Sequence, residues 1–352
     1  MSKYAFITDQ HFGVRANSEI FMDNYRKFYS EVFFPALKKH GIKRVIGLGD
    51  LWENRVNVTW KTLKFAREVF FDPLDEAGIE YIAIYGNHDV TFRNTNEVNG
   101  MDFLEDLYPD SVKIVRKPMV MNMDGVKFGL IGWINKENLA ESLEWLETVD
   151  ADFIGGHFEI NDFEMTKGHV ATHGFDRKMF KRFEHVYSGH FHVRSTIGNI
   201  TYLSNPSQTS WGDHGLEKGF HIFDTKTREM TPVNNPFDMY KEIEWGAHDA
   251  KPEDFAGVYG RINVRNFDSF SRAELDLFVN AAQEHAIQMQ VVETAVEQDG
   301  VVVEADEVVG IWGIIDGYIE EAVGAKETID PDVLKKEFRQ LYDDASANLE
   351  VL

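Results

Sequence analysis

Histidine, aspartate and asparagine recur in this sequence in short clusters, each at the end of an apolar run. The clusters read Asp9-Gln10-His11, Gly49-Asp50, Gly86-Asn87-His88-Asp89, Gly156-His157 and Gly189-His190-Phe191-His192. Imidazole, carboxylate and amide groups are donors for divalent metals, and the chain has no cysteine to offer a thiolate or a disulfide. Asp9, His11, Asp50, Asn87, His157, His190 and His192 would together serve two ions, with Asp50 the natural bridge. Two ions about 3.5 to 4 Å apart can clamp a phosphate and activate water for in-line attack. The mixed donor set suits manganese, iron or zinc, and the lack of thiolates favours manganese, with magnesium as the alternative. His88 is left over beside Asn87, where it could protonate a leaving oxygen or stabilise charge developing on phosphorus.

Taken singly, each cluster says little. A lone Gly-His or Gly-Asp is usually a turn or a capped helix start, whereas five such clusters in this order are hard to attribute to turns. His190 and His192 read as a strand face with a two-residue period, both rings on one side. Glycine beside each cluster is expected to let the backbone leave a sheet sharply and let a phosphate come close.

The elements that must position these residues follow from periodicity. Short β-branched or aromatic runs predict strands at 4–8, 44–48, 81–85, 127–133, 152–155, 185–188 and 201–204. Phe21, Tyr25, Phe28, Val32 and Ala36 recur at helical spacing up to Gly41, and a second helix is expected over 58–76, closed by Gly78. The alternation implies an α/β layered domain, with helices covering a largely buried sheet and functional groups gathered outside the carboxyl ends of its strands. Pro232-Val-Asn-Asn-Pro236 reads as a loop and a domain boundary. The expected organisation is an α/β domain carrying the five clusters over 1–240, a small α+β domain over 241–300 and a helical tail over 301–352. Strands at 259–264 and 288–293 flank a helix at 271–285 in the small domain. Two apolar stripes mark the tail: Val308, Ile311, Ile315, Tyr318 and Ala322, then Leu334, Phe338, Leu341 and Ala345.

Acidic residues outnumber basic ones 59 to 36, for a net charge of −23. Such a chain is poorly suited to neutralising many phosphates unaided, so bound metal and a basic partner would have to supply the positive field. No apolar run approaches the roughly 18 to 20 residues of a membrane helix, and no leader is evident, so a soluble, cytoplasmic protein without a membrane partner is expected.

The ordered motifs Asp9-x-His11, Gly49-Asp50, Gly86-Asn87-His88-Asp89, Gly156-His157 and Gly189-His190-x-His192 resemble those of the calcineurin-like metallophosphoesterases. Within that superfamily, Tyr85-Gly-Asn-His-Asp-Val90, Gly156-His-Phe-Glu-Ile160 and Ser188-Gly-His-Phe-His192 are similar to the SbcD-type nuclease subunits, those of T-even phages above all. The resemblance covers roughly residues 3 to 240. It implies a metallophosphoesterase sheet-and-helix core with a capping domain. It also implies an ATP-controlled, manganese-dependent nuclease acting on double-strand DNA ends and on hairpin or single-stranded structures, in the host cytoplasm if phage-encoded. One ion would take Asp9, His11, Asp50 and His192, the other Asp50, Asn87, His157 and His190, with His88 as the catalytic histidine. The implied partners are DNA and an SMC-like ABC ATPase subunit of SbcC type, onto whose coiled coil the tail would dock. A homodimer is also implied, with Trp60, Phe65, Phe103 and Leu107 on its two contact helices; core packing is the alternative role for these four. Arg15, Arg55, Arg93 and Lys167 follow the motifs closely enough to meet DNA phosphates, although each reads more readily as an ordinary surface charge. Glu53 departs from the histidine or aspartate of several relatives, and no role is carried over to it. Protein phosphatases of the superfamily carry Asp-Arg-Gly and Asn-His-Glu where this chain has Leu51-Trp-Glu-Asn-Arg55 and Asn87-His88-Asp89, which disfavours that alternative. A non-catalytic scaffold would not need the complete donor set.

Overall fold

The computed structural model describes residues 2–246, 249–265, 271–294 and 335. Two six-stranded sheets form its centre. The first runs in the order Glu229–Asn234, Gly219–Asp224, Lys3–Ile7, Arg44–Gly47, Glu80–Ile84, Val112–Val115. Its last four strands are parallel neighbours. The second runs Ser195–Ile197, Ile200–Tyr202, His185–Gly189, Phe153–His157, Val126–Ile131, Met119–Met123, parallel through its middle.

Strand alternation explains why the two sheets stack. In Lys3–Ile7, Tyr4 and Phe6 join Ile46, Leu48, Ile82 and Ile84 in a core shared with Phe128, Leu130, Phe153 and Tyr187 of the second sheet. Ala5 and Ile7 point the other way, into a core built with Phe21, Tyr25, Phe28 and Phe70 of the helical layer. Ile154 and Val186 turn their side chains to a third core with Leu146 and Phe180. A strand buried on both faces reads as a continuous apolar run, as these do. The expected layered α/β fold is present, with two stacked sheets rather than one.

Both predicted helices occur with an internal π-helical turn. Glu19–Lys27, Phe28–Phe33 and Phe34–His40 follow one another, as do Trp60–Ala66, Arg67–Phe71 and Asp72–Glu76. The first π turn carries Tyr29, whose hydroxyl accepts from Gln10 Nε2 at 2.7 Å, while Tyr25 donates to the Gln10 carbonyl at 2.8 Å. The helix thus fixes the first motif from beneath.

Residues 232–234 are not loop. Glu229–Asn234 is an edge strand with Pro232 opposite His221, a place where proline's missing N–H costs the sheet no ladder bond. Beyond it, Tyr240–Glu244, Tyr259–Arg265 and Gln288–Thr294 form a separate parallel sheet, with helix Arg272–Gln283 packed through Leu275 on Ile262 and Val264. The tail stripes over 308–345 lie outside the described residues. Among the described residues, no helix is long and apolar enough to cross a membrane.

Candidate metal centre

The five motifs leave the carboxyl ends of Lys3–Ile7, Arg44–Gly47, Glu80–Ile84, Phe153–His157 and His185–Gly189, so both sheets deliver them to one edge. The first two motifs stay paired after their strands end: Asp9 N donates to Gly49 O at 2.9 Å and His11 N to Asp50 O at 3.0 Å. Asp9, His11, Asp50 and His190 all take positive φ, at 52°, 44°, 52° and 93°. Left-handed backbone at non-glycine residues is costly, and it persists where surrounding contacts over-determine it. Those contacts are visible. His190 N donates to Asp9 Oδ1 at 2.9 Å, Thr8 Oγ1 to Asp9 Oδ2 at 2.7 Å, and His88 N to Asp50 Oδ1 at 2.8 Å. Gly86 and Gly189 serve the same end. A Cβ on Gly86 would lie 2.1 Å from Asp50 Oδ1, and one on Gly189 would lie 2.9 Å from Asp9 Oδ2. Here glycine makes room for the carboxylates of the chain itself.

Three overlapping donor groups result among the described residues, and two of them carry the predicted ligands: Asp9, His11 and His192 bring ligand atoms within 4.8 Å of one another, and so do Asp50, His157 and His190, while His11 also meets Glu53 and His88 in the same way. Asn87 Oδ1 joins the second group, 3.1 Å from His157 Nε2 and 2.8 Å from His190 Nδ1. His190 and His192 are divided between the groups because the strand stops at Gly189. They therefore do not form the strand face that a two-residue period suggested. Asp50 lies between the groups. Its Oδ1 is held by the His88 amide, while Oδ2 sits 3.4 Å from His157 Nε2 and 3.8 Å from His11 Nε2.

His157 is held by the main chain on one side and faces oxygens on the other. Its Nδ1 donates to the Leu48 carbonyl at 2.8 Å, so a neutral ring presents a lone pair at Nε2 to two acceptor oxygens, Asp50 Oδ2 and Asn87 Oδ1. Acceptors gather in this way around a cation. Burial lowers the His11 and His157 imidazoles, but nearby carboxylates outweigh it and raise both to about 9: Glu53, Asp50 and Asp9 for His11, Asp50 and Asp9 for His157. His190 is pushed down to about 3 by burial and by His157. Burial alone would raise the Asp50 carboxyl, yet His157 and His11 hold it well below the usual carboxylate range. The cluster thus demands positive charge, as protons or as divalent cations that displace them, and its all-nitrogen-and-oxygen donors fit the latter.

The exonuclease subunit 1 of Enterobacteria phage T4 is 32% identical over 350 residues, spanning 96% of this chain and 98% of that one. The chain belongs to the SbcD-like family of exonuclease subunits. No family model matches it. Among solved structures, an archaeal phosphodiesterase is 14% identical with a TM-score of 0.32, over 66% of this chain and 99% of that one, a likeness too weak to argue from.

The other residues singled out in this SbcD-like enzyme fall into distinct places. His88 lines the same cavity of about 600 Å³ as His11, Asp50 and Asn87, and its Nδ1 donates to the Glu53 carbonyl at 2.7 Å, leaving Nε2 for other partners. Arg15 also lines that cavity and donates to Thr209 O at 2.8 Å. Burial, then the nearby Arg93, lowers the Arg55 guanidinium, so these two arginines are neighbours. Lys167 is exposed at the tip of the hairpin whose Met165 and Thr166 reach the cavity. Phe65 is core, while Trp60 is 85% exposed and Leu107 45%.

Four residues went unassigned in the sequence. Glu53 places Oε2 3.0 Å from His11 Nδ1, so it faces both His11 and His88. Buried Asp89 accepts from the amides of Leu51, Trp52 and Gly86, tying the second motif to the third. Buried Lys218 donates to Asp213 Oδ1 at 2.6 Å and to the His192 carbonyl at 2.9 Å. Asp89 had a signal in the tetrad; Lys218 and Asp213 had none.

Proposed function

We propose that this subunit is a two-metal DNA nuclease. Its activities would be exonuclease action on double-strand ends and endonuclease action on structured or single-stranded DNA, within an SbcC/SbcD-like, ATP-dependent recombination and repair complex. The observation that carries the two-metal reading is Asp50 Oδ2, one oxygen facing His157 on one side and His11 on the other. Asp9, His11, Asp50 and His192 would hold one ion and Asp50, Asn87, His157 and His190 the other, with manganese the favoured metal. Such a pair, when bound, supplies an activated water and neutralises charge on the phosphate.

Around that centre the chain orients the substrate. His88, steadied by Glu53 O, would present Nε2 to the leaving oxygen or to the phosphate, and Arg55 with Arg93 would meet the backbone beyond it. Lys167 and Arg15 would extend that contact. The net charge of −23 supports a basic partner, and the word "subunit" in the T4 relative's name supports a complex. An SMC-like ATPase would occupy the 301–352 tail, 241–300 would cap the 1–240 nuclease domain, and the exposed Trp60 and Leu107 would contribute to a homodimer.

Purified full-length chain should hydrolyse double-stranded DNA with manganese, stop with chelator, and leave phosphopeptides and cyclic nucleotides largely intact. Faster turnover of either of the latter would overturn the nuclease assignment.

A further inference from the structure

A second cavity, of about 460 Å³, opens at the same sheet edge beside the metal centre. Trp133 belongs to both. Its indole lies 5.4 Å from the His190 ring and 6.0 Å from the His157 ring, and it also lines the second cavity. Asn96 Nδ2 and Asn138 Nδ2 each donate to the Trp133 carbonyl at 3.1 Å, and Asn135 joins the two amides through hydrogen bonds to each. These bonds fix the main chain that carries the indole at the cavity wall, where a flat ligand could stack.

The charges decide what kind of ligand that is. Arg116 and Lys117 are the cations of the cavity; Arg116 is engaged by Asp102 at 3.2 Å and Glu105 at 2.6 Å, and Lys117 lies 3.8 Å from Glu141. Glu97, Asp102, Glu137 and Glu141 outnumber them four to two. A phosphate would be repelled there. A neutral, planar group with amino hydrogens would stack on the indole and donate to the carboxylates, as exposed nucleobases do.

We propose that this cavity receives an unpaired nucleobase of the strand being cut, next to the phosphate held at the metal centre. The inference rests on the nuclease reading and adds that the substrate must present a frayed or single-stranded end, because a paired base cannot leave its stack without cost. Base-to-aromatic contact of this kind is worth roughly tenfold or more in binding.

The test compares a single-stranded oligonucleotide with one whose two terminal nucleotides are abasic, using full-length protein with manganese. Rates are normalised to bis(p-nitrophenyl) phosphate, which has no base. The native protein should prefer the natural end by about tenfold or more in kcat/KM, and Glu141→Trp, which fills the cavity from an exposed helix position, should bring that ratio close to one. Equal rates on the two ends, or undiminished preference in Glu141→Trp, would refute the base site while leaving the nuclease intact. Hydrolysis of bis(p-nitrophenyl) phosphate with no cleavage of either oligonucleotide would refute the nuclease reading and this one together.

Discussion

Replacing Lys218 with methionine should be among the most destabilising single changes near the centre. The side chain is 2% exposed, and its ammonium serves Asp213 Oδ1 and the His192 carbonyl. Burial keeps the ammonium below the ordinary lysine value even with its partner present. Burial would raise Asp213, but Lys218 and the Thr209 amide carry it below the usual carboxylate value. Methionine keeps most of the volume and removes the charge, which leaves a buried carboxylate oxygen without a donor. Breaking one side of a buried pair costs about 3 to 5 kcal/mol. The lower end applies, because Asp213 Oδ2 keeps the Thr209 and Ser210 amides at 2.8 and 3.0 Å. A loss near 3 kcal/mol should lower Tm by roughly 6 to 10 °C in a domain of this size. Adding Asp213→Asn removes the stranded charge and should recover about half of that loss, since neutral replacements of buried pairs are often well tolerated. Since the folded carboxyl lies below its unfolded value, its contribution is complete above about pH 4 and fades as pH falls through the folded value. Thermal unfolding of the single and double variants, with and without manganese, gives these numbers. A Tm within 1 °C of native for Lys218→Met, or a double variant less stable than the single, would refute the reasoning.

Other residues make separable predictions. His88→Asn should keep metal and DNA affinity and lose about a hundredfold in rate, the usual loss for a general acid; native turnover in single-turnover assays would remove His88 from the chemistry. Glu53→Gln should weaken manganese activation or activity by about 10- to 100-fold, as loss of a group orienting a ligand does. A manganese titration indistinguishable from native would show that the Glu53 carboxylate orients nothing.

The architecture was legible where one periodicity dominates. Strands buried on both faces announce themselves as apolar runs, and Phe21, Tyr25 and Phe28 mark a helix face plainly. The stacking of two sheets was not legible, because apolar runs do not say which neighbour buries each face. Pro232 misled for a definite reason: it breaks inner strands, and Glu229–Asn234 is at an edge. At the centre, residue types and order identified the cluster, while the division of His190 from His192 depended on where the strand stops, one residue before His190. Lys218 and Asp213 escaped because a buried pair that supports the His192 carbonyl has no local spacing to detect. Glu53 escaped because part of its role lies in a main-chain carbonyl, which any residue type could supply.

Asp50 as the bridge between two metals is the central claim, and anomalous diffraction from crystals soaked in manganese tests it most directly. Native protein should show two manganese peaks about 3.5 to 4 Å apart, one among Asp9, His11 and His192, the other among Asn87, His157 and His190, with Asp50 Oδ2 between them. Asp50→Ala should lose occupancy at both positions. A single peak, or two peaks of full height in Asp50→Ala, would contradict the account.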